Sequence, residues 1–283
     1  MSEQDLKPDT ILITMDGSPA AKAAANTSLE IAKSHGMKVR GVYVVDETLV
    51  LDTYADYAAE LGRKVQAESR AELARWFDEH GNQALEWVCD RSAAEGVPCT
   101  TEVLFGGVPE LILKEASQAS LVSLGRRGNG NPSDPDHLGR NFKAVAHHCH
   151  QAMLVGGDEQ PPMQSLLLAY DGSERAQLAL EWASRLQRDL TTQAIVFSAQ
   201  DEGDVSEQDL SELRAQIHDA GVVDFQYISE EGQPAEEIVK VAYENHVGLI
   251  VMGGYRHTAL LEWLVGSTVD RVLRSTSLPV LVA

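Results

Sequence analysis

The chain has 283 residues, which is enough for two domains of ordinary size that each bury their own core. Its net charge of -20, from 23 basic and 43 acidic residues, argues against a surface that binds nucleic acid or an anionic membrane. The three cysteines form no Cys-x-x-Cys pair, the N-terminus is too polar for a signal peptide, and no apolar run is long enough to cross a bilayer. We therefore expect a cytoplasmic protein with reduced thiols.

The first half of the chain alternates apolar runs with amphipathic stretches. Five strands are predicted at residues 10–15, 38–45, 98–104, 120–124 and 152–156, with helices between them. Residues 54–95 have apolar residues at helical spacing and a break predicted at Gly81-Asn82. This longer helical segment is interpreted as extra covering for the sheet, with a partner-binding helix as the alternative.

The second half repeats the alternation. Strands are predicted at residues 165–170, 192–198, 222–228, 247–252 and 279–282, and helices at 174–188, 206–219, 234–245 and 258–275. Such alternation indicates an α/β fold with a doubly wound parallel sheet and helices on both faces. The polar segment 156–164, which contains Pro161-Pro162, predicts a boundary between domain 1 at residues 1–157 and domain 2 at 165–283.

Matching motifs support the duplication. In each copy, an Asp-Gly-Ser motif follows the first predicted strand: Asp16-Gly17-Ser18 in the first and Asp171-Gly172-Ser173 in the second. In each copy, the fourth predicted strand is an apolar run that leads into a glycine, Gly125 or Gly253. In open parallel sheets, ligands bind beyond the carboxyl ends of strands, at the point where the strand order reverses. The loops after the first and fourth strands are therefore the candidate binding loops.

The loop of the second copy has a recognisable spacing. Gly253-Gly254-Tyr255-Arg256 is followed, after nine residues, by Gly266-Ser267-Thr268. This pattern resembles the nucleotide-binding signature of the universal stress protein family, Gly-x-x-Gly-x9-Gly-Ser/Thr. The resemblance covers essentially the whole chain as two tandem domains.

The resemblance implies a five-stranded sheet in the order 3-2-1-4-5 in each domain, with ATP or a related adenine nucleotide as the ligand. It also implies a stress-response regulator rather than a vigorous enzyme, with a protein partner that the sequence does not identify. Because family members pair through their last strand, we expect the two domains to form a pseudo-symmetric pair through the apolar segments Met153–Val155 and Val280–Val282. Assembly into a homodimer is left open.

The resemblance also implies a position in this sequence for each ligand contact. The aspartate that contacts the adenosine maps to Asp171 and Asp16, and the second-strand backbone contact maps to Val44 and Ser198. The phosphate loop maps to Gly253, Gly266, Ser267 and Thr268. Arg256 replaces the second glycine of the signature, where its charge would strengthen phosphate binding or its bulk would block the backbone approach.

The first copy departs from the signature differently. Gly125-Arg126-Arg127-Gly128 keeps the initial Gly-x-x-Gly of the signature. Ten residues, rather than nine, then separate Gly128 from Gly139, and Arg140-Asn141 replaces the hydroxyl residues that follow the last glycine. The candidate contacts here are Gly125, Arg127, Gly128 and Gly139. Arg126, Arg127 and Arg140 are interpreted either as a phosphate clamp or as exposed charges. For Asp16 and Asp171, the alternative to ligand contact is helix capping or turn formation.

Other chemistry is less favoured by the sequence. The segment His147-His148-Cys149-His150 has metal-binding residue types, but it falls at a predicted helix end, where histidine stabilises the dipole. No metal is predicted beyond nucleotide-associated Mg²⁺. The sequence contains no nucleophile elbow, no P-loop lysine and no Gly-x-Gly-x-x-Gly after the first strand, which disfavours a hydrolase, a P-loop kinase and a dinucleotide-dependent dehydrogenase.

The resulting hypothesis is a cytoplasmic stress-response protein that binds an adenine nucleotide in its second domain and acts as a regulator or sensor. One alternative is an interaction module of the same fold that does not bind nucleotide. A weaker alternative is slow ATP hydrolysis, for which the sequence offers no general base.

Overall fold

The computed structural model describes residues 9–46, 67–128, 138–190, 192–200, 207–254 and 268–283. These residues divide into two compact units. The first contains residues 9–46, 67–128 and 139–151, and the second contains Leu138 and the described residues from 152 onwards. The predicted domain boundary at residues 157–165 stays a prediction.

The first unit contains four parallel strands and four helices among its described residues. In chain order they are β1 (Thr10–Thr14), α1 (Pro19–His35), β2 (Lys38–Asp46), α2 (Ala67–Ala94), β3 (Cys99–Gly106), α3 (Val108–Ala116), β4 (Leu121–Gly125) and α4 (Arg140–His148). The strands lie in the order β3-β2-β1-β4 and pair in parallel. This order matches the first four strands of the predicted order 3-2-1-4-5.

The second unit begins with β5 (Ala152–Gly156). It continues with β6 (Ser165–Ala169), α5 (Glu174–Leu190), β7 (Gln193–Gln200), α6 (Glu207–Asp219), β8 (Phe225–Glu231), α7 (Pro234–Glu244), β9 (Leu249–Met252), α8 (Thr268–Ser275) and β10 (Val280–Val282). The order β8-β7-β6-β9-β10, parallel throughout, confirms the predicted 3-2-1-4-5 arrangement. On its other side, β10 pairs antiparallel with β5, and Met153 lies opposite Val282.

The central strands are apolar because both faces of the sheet are covered. All four residues of β9 are buried, as are the first four residues of both β4 and β6. The helices supply small or aliphatic residues on one face, such as Ala24 and Ile31 of α1 or Ala179 and Leu186 of α5. A continuous apolar strand buried between two helical layers is the expected pattern for a doubly wound fold.

Helix α2 corrects one prediction. It runs without interruption from Ala67 to Ala94, so the break predicted at Gly81-Asn82 is wrong. A Cβ atom on Gly81 would lie 2.8 Å from a ring carbon of Tyr43 on β2. The glycine therefore lets the helix pack closely on an aromatic ring. Residues 54–66 of the predicted helical segment lie outside the described residues.

None of the helices in the described parts of the chain combines the length and apolar character that a membrane crossing requires.

Candidate functional site

Each unit has a point at which its strand order reverses. In the first unit, β1 lies between β2 and β4, and in the second, β6 lies between β7 and β9. The paired strands end close together, since Ile13 is opposite Ser123 and Ala169 is opposite Met252. The Asp-Gly-Ser turn and the glycine loop of each copy consequently leave the same edge of the sheet, where ligands bind in folds of this kind.

The two Asp-Gly-Ser turns have the same internal hydrogen bond. The Ser18 backbone N–H donates to Asp16 Oδ1 at 2.9 Å, and the Ser173 N–H donates to Asp171 Oδ1 at 3.0 Å. The intervening glycines have φ angles of 81° and 74°, in the left-handed region that favours glycine. Both aspartates thus form turns, and both are exposed to solvent.

The serines of these turns begin the following helices. Ser18 Oγ accepts the Ala21 N–H at 3.1 Å, and Ser173 Oγ accepts the Ala176 N–H at 3.2 Å. Helix capping is therefore present in both copies, as the alternative interpretation predicted. Capping is compatible with a ligand contact, because the turn bond involves only one carboxylate oxygen of each aspartate.

The first glycine of each loop has a packing role. A Cβ atom on Gly125 would lie 2.8 Å from the backbone nitrogen of Ala21, and one on Gly253 would lie 2.9 Å from that of Ala176. A side chain on Gly125 would collide with the start of α1, and one on Gly253 would collide with the start of α5. These glycines are thus needed by the fold whether or not a ligand is present.

In the first unit, the glycine loop lies directly on the aspartate turn. Ser18 Oγ donates to the Arg127 carbonyl at 3.3 Å, and a Cβ on Gly128 would lie 2.8 Å from Asp16 Oδ2. The Gly139 N–H donates to the Arg126 carbonyl at 2.9 Å, immediately before α4. The structure thus brings together the candidate residues that sequence analysis assigned to this loop.

The three arginines near this loop differ in exposure. Arg126 is only 5% exposed, whereas Arg127 is half-buried and Arg140, the first residue of α4, is exposed. The interpretation as exposed charges is therefore wrong for Arg126. Three guanidinium groups at such different depths do not present one uniform clamp.

The second-unit loop is described at its two ends. The Gly254 N–H donates to the Ala283 carbonyl at 2.7 Å, and a Cβ on Gly254 would lie 2.7 Å from the same oxygen. Thr268 is the first residue of α8, and Asp270 lies in its first turn. Arg256, Gly266 and Ser267 lie outside the described residues.

Strand β2 extends past the end of its neighbour β1, and β7 extends past the end of β6. The Met15 N–H donates to the Val42 carbonyl at 2.9 Å. Since the backbone groups of alternate residues in a strand face the same neighbour, those of Val44 face the side on which β1 has already ended. Val44 is thus well placed for a backbone contact with a ligand.

The equivalent position in the second unit differs from the prediction by one residue. The Tyr170 N–H donates to the Phe197 carbonyl at 2.9 Å, so Ala199 corresponds to Val44. Ser198 faces the opposite neighbour, because its carbonyl accepts a hydrogen bond from Ser229 Oγ on β8 at 3.0 Å. Assigning the backbone contact to Ser198 is therefore wrong on strand alternation.

Each aspartate influences a nearby tyrosine. Burial raises the pKa of Tyr43, and the negative charge of Asp16 raises it further. Burial also raises the pKa of Tyr170, with a smaller contribution from Asp171, while a hydrogen bond from Gln177 opposes the shift. The carboxylates of both turns are thus close enough to the ends of the strands to affect groups there.

The histidine-rich segment lies at a helix end, as the sequence predicted. His147 and His148 occupy the last turn of α4, and His148 Nδ1 lies 2.9 Å from the Ala144 carbonyl. Burial raises the pKa of the neighbouring Cys149 thiol. Within the described ranges, no group of three or more His, Cys, Asp or Glu side chains is arranged to hold a metal ion.

Sequence comparison identifies the family. The model of the universal stress protein family matches residues 8–155 and 163–283. The chain belongs to the universal stress protein family. This universal stress protein is 27% identical over 164 residues to one from Synechocystis sp., a match that covers 57% of this chain and 56% of the relative.

A universal stress protein of Mycobacterium tuberculosis is 27% identical over 186 residues, which cover 61% of this chain and 57% of that protein. The matches thus span just over half the length of both curated relatives. The structure of a universal stress protein from Archaeoglobus fulgidus superposes on this chain with a TM-score of 0.78 at 20% sequence identity. The superposition covers 98% of this chain and 99% of the Archaeoglobus chain. At that identity, the likeness supports the shared fold alone.

Proposed function

We propose that this universal stress protein binds an adenine nucleotide at the strand-order reversal of its second unit, and acts in the cytoplasm as a stress-response regulator or sensor. One observation carries the proposal. The Asp171 turn follows β6 and the glycine turn follows β9, and these two strands are paired, so both turns leave the sheet at the crevice between them. The exposed carboxylate of Asp171 lies at this edge, and the proposal adds the start of α8, because a helix N-terminus favours phosphate.

Each part of the nucleotide has a matching group in this proposal. The second carboxylate oxygen of Asp171 accepts hydrogen bonds from the nucleoside hydroxyls. The backbone groups of Ala199 face past the end of β6 and suit the polar edge of a base. The phosphates lie at the start of α8, where Thr268 adds a hydroxyl donor to the backbone N–H groups.

The second unit is preferred because its sequence keeps Gly266-Ser267-Thr268 of the signature, whereas the loop of the first unit lacks the hydroxyl residues and lies against its own aspartate turn. The Ser18 hydroxyl bonds to the Arg127 carbonyl, and Gly128 lies against the carboxylate of Asp16. A nucleoside in that position would have to displace both contacts. Arg140 also stands at the helix start where the second unit has hydroxyl residues.

The proposal is tested with a matched pair of aspartate variants. Asn retains the oxygen that accepts the serine N–H, so Asp171→Asn and Asp16→Asn both keep their turns. In calorimetric titrations with ATP and ADP, Asp171→Asn is expected to weaken binding about 10-fold or more, because a charged acceptor is lost, while Asp16→Asn leaves affinity unchanged. Equal losses in both variants would contradict the choice of the second unit.

A second experiment tests whether any nucleotide binds. Native mass spectrometry of freshly purified protein is expected to detect a bound adenine nucleotide. Added ATP is expected to raise the melting temperature in a concentration-dependent way, since a ligand that binds only the folded state stabilises it. Protein that is consistently ligand-free and insensitive to ATP would overturn the proposal. Phosphate release no faster than in a buffer blank would remove slow ATP hydrolysis from consideration.

The interaction-module alternative is favoured by one surface observation. Trp76 on α2 is 49% exposed, and its ring meets that of Phe77 edge-on. In a complemented deletion strain, the alternative predicts that Trp76→Ala abolishes the stress phenotype while Gly266→Leu leaves it intact. Nucleotide-dependent regulation predicts that Gly266→Leu abolishes it.

A further inference from the structure

Two of the cysteines, which no sequence motif connects, meet between α2 and β3. Their Sγ atoms are 3.3 Å apart, and both side chains are half-buried. A disulfide has an S–S bond of about 2.0 Å, so the sulfurs need to approach by about 1.3 Å. Side-chain rotation supplies movements of this size without a change of fold.

The packing of α2 on the sheet holds this pair together. A Cβ on Gly41 of β2 would meet Leu85 at 3.3 Å and Val88 at 3.5 Å, so α2 crosses β2 with very little space between them. Cys89 is four residues after Leu85 and therefore lies on the same side of the helix. Thr101 also reaches Gly41, and Cys99 is two residues before it on the same face of β3.

The connection between the two elements is short and well defined. Gly96 has a φ of 71°, and the Val97 N–H donates to the Ser92 carbonyl at 2.8 Å, which ends the helix. The chain then passes through Pro98 directly into β3, the edge strand of the first unit. Edge position and partial exposure give a small oxidant access to both thiols.

We propose that Cys89 and Cys99 are a redox site, which hydrogen peroxide converts into a reversible intramolecular disulfide that fastens α2 to β3. In the first step, the Cys89 thiolate attacks one peroxide oxygen, the O–O bond breaks, and the products are Cys89 sulfenic acid and hydroxide, which takes up a proton. In the second, the Cys99 sulfur attacks the Cys89 sulfur, loses its proton and releases water. Two thiols and one peroxide thus give one disulfide and two waters.

The environment of Cys99 assigns it the second step. Burial, then the hydrogen bond to Cys89, raises the pKa of Cys99 to about 11. A raised pKa lowers the fraction of Cys99 thiolate, and the thiolate is the form that attacks peroxide. Once Cys89 carries the sulfenic acid, its sulfur is an electrophile at short range. Cys99 then acts as the resolving thiol.

The test uses the full chain in its reduced form. After removal of the reductant and treatment with hydrogen peroxide, thiols are blocked with N-ethylmaleimide in denaturant and the intact mass is measured. We expect one maleimide, on Cys149, in place of the three carried by reduced protein. Because Arg91 separates the two cysteines, trypsin should release residues 76–91 linked to residues 92–114. Dithiothreitol should restore all three labels.

Single variants separate the roles of the three cysteines. Cys149→Ser is the matched control and should still yield the linked peptides. Cys99→Ser should retain the sulfenic acid on Cys89, which dimedone labels, whereas Cys89→Ser should leave Cys99 unlabelled. The oxidised wild type should unfold at a temperature roughly 5 °C or more above that of the reduced protein, because a cross-link restricts the unfolded chain.

Three results would overturn the proposal. The first is retention of all three maleimide labels at peroxide concentrations that oxidise exposed thiols. The second is separate oxidation of Cys89 and Cys99 without a linked peptide. The third is a link between chains, which a mixture of isotopically light and heavy protein would reveal as mixed peptides. None of these measurements depends on nucleotide binding.

Discussion

The two Asp-Gly-Ser turns make the same hydrogen bonds but lie in different surroundings. Ser18 is 2% exposed and also bonds to the glycine loop, whereas Ser173 is half-buried. The shared part of the motif starts a helix in both units. In the proposed function, the difference in ligand binding between the copies comes from the loops that follow β4 and β9, whose sequences diverge. The repeated motif thus identifies the shared scaffold, and the choice between the copies rests on the loops.

The largest expected effect comes from the first glycine of each loop. Gly125→Ala and Gly253→Ala should each lower the free energy of unfolding by about 1–3 kcal/mol, because the added methyl group collides with the backbone of the adjacent helix. Urea unfolding measures this loss. Similar losses in the two variants would support the shared packing role.

Gly139→Ser is the control for this pair. Among the described residues, the nearest neighbour of a Cβ at that position is the Arg126 carbonyl oxygen at 3.5 Å, and serine is a good N-cap for α4. Its stability should be unchanged or slightly raised. A destabilised Gly139→Ser together with a stable Gly253→Ala would show that the packing argument is wrong.

The next largest effect separates the two serine caps. Ser18→Ala should cost about 1–2 kcal/mol, because it removes a buried cap and the bond to the Arg127 carbonyl. Ser173→Ala should cost about 0.5–1 kcal/mol, since its cap is nearer to solvent. Thermal and urea unfolding of both variants give the difference. Ser173→Asp should be as stable as the wild type, because aspartate caps a helix as well as serine does. A larger loss of stability in Ser173→Ala than in Ser18→Ala would contradict this prediction.

Sequence patterns predicted the sheet well because burial on both faces leaves a simple signal. The run Leu249–Met252, for example, is wholly buried and was predicted as a strand. Its position in the sheet, between β6 and β10, was predicted from the family resemblance. The predicted break at Gly81 failed for a tertiary reason. Glycine in a helix usually signals an end, but here it makes room for Tyr43. Only the packed partner reveals which role applies.

The candidate site was predictable in outline but not in detail. The two motifs indicated which loops meet, yet the burial of Arg126 and the contact of Gly128 with Asp16 depend on how the loop folds back. The choice of Ser198 over Ala199 failed because a one-residue shift reverses the direction of the backbone groups. The meeting of Cys89 and Cys99 depends on the register of α2 over β3, which no spacing in the sequence encodes.

A smaller effect concerns charge at the two helix starts. Asp270 lies in the first turn of α8, whereas α4 has no acidic residue in its first turn. If the proposed phosphates occupy the α8 start, the carboxylate competes with them for the positive end of the helix dipole. Asp270→Asn should therefore raise ATP affinity by about 2–5-fold in calorimetric titrations.

The control for this charge effect is Asp219→Asn. It removes the same charge from the last turn of α6, and helices of a parallel α/β sheet end at the edge opposite the ligand crevice. Its ATP affinity should match that of the wild type. A gain of affinity in both variants would indicate that net charge alone, rather than the α8 start, controls binding.

The smallest effect is on tyrosine titration. The pKa of Tyr43 is raised by burial and then by Asp16, so Asp16→Asn should lower it while leaving it above its ordinary value. A raised pKa of the folded state stabilises the fold below the unfolded pKa of about 10, and this stabilisation is lost as the pH rises through the folded value. The variant should therefore lose less stability on alkaline titration than the wild type. Ring-carbon NMR of labelled tyrosines would resolve Tyr43 from Tyr170, whose pKa should respond to Asp171→Asn instead. If the pKa of Tyr43 is the same in Asp16→Asn and in the wild type, the Asp16 carboxylate does not act on the end of β2. The two turns would then differ in their effect on the neighbouring tyrosine.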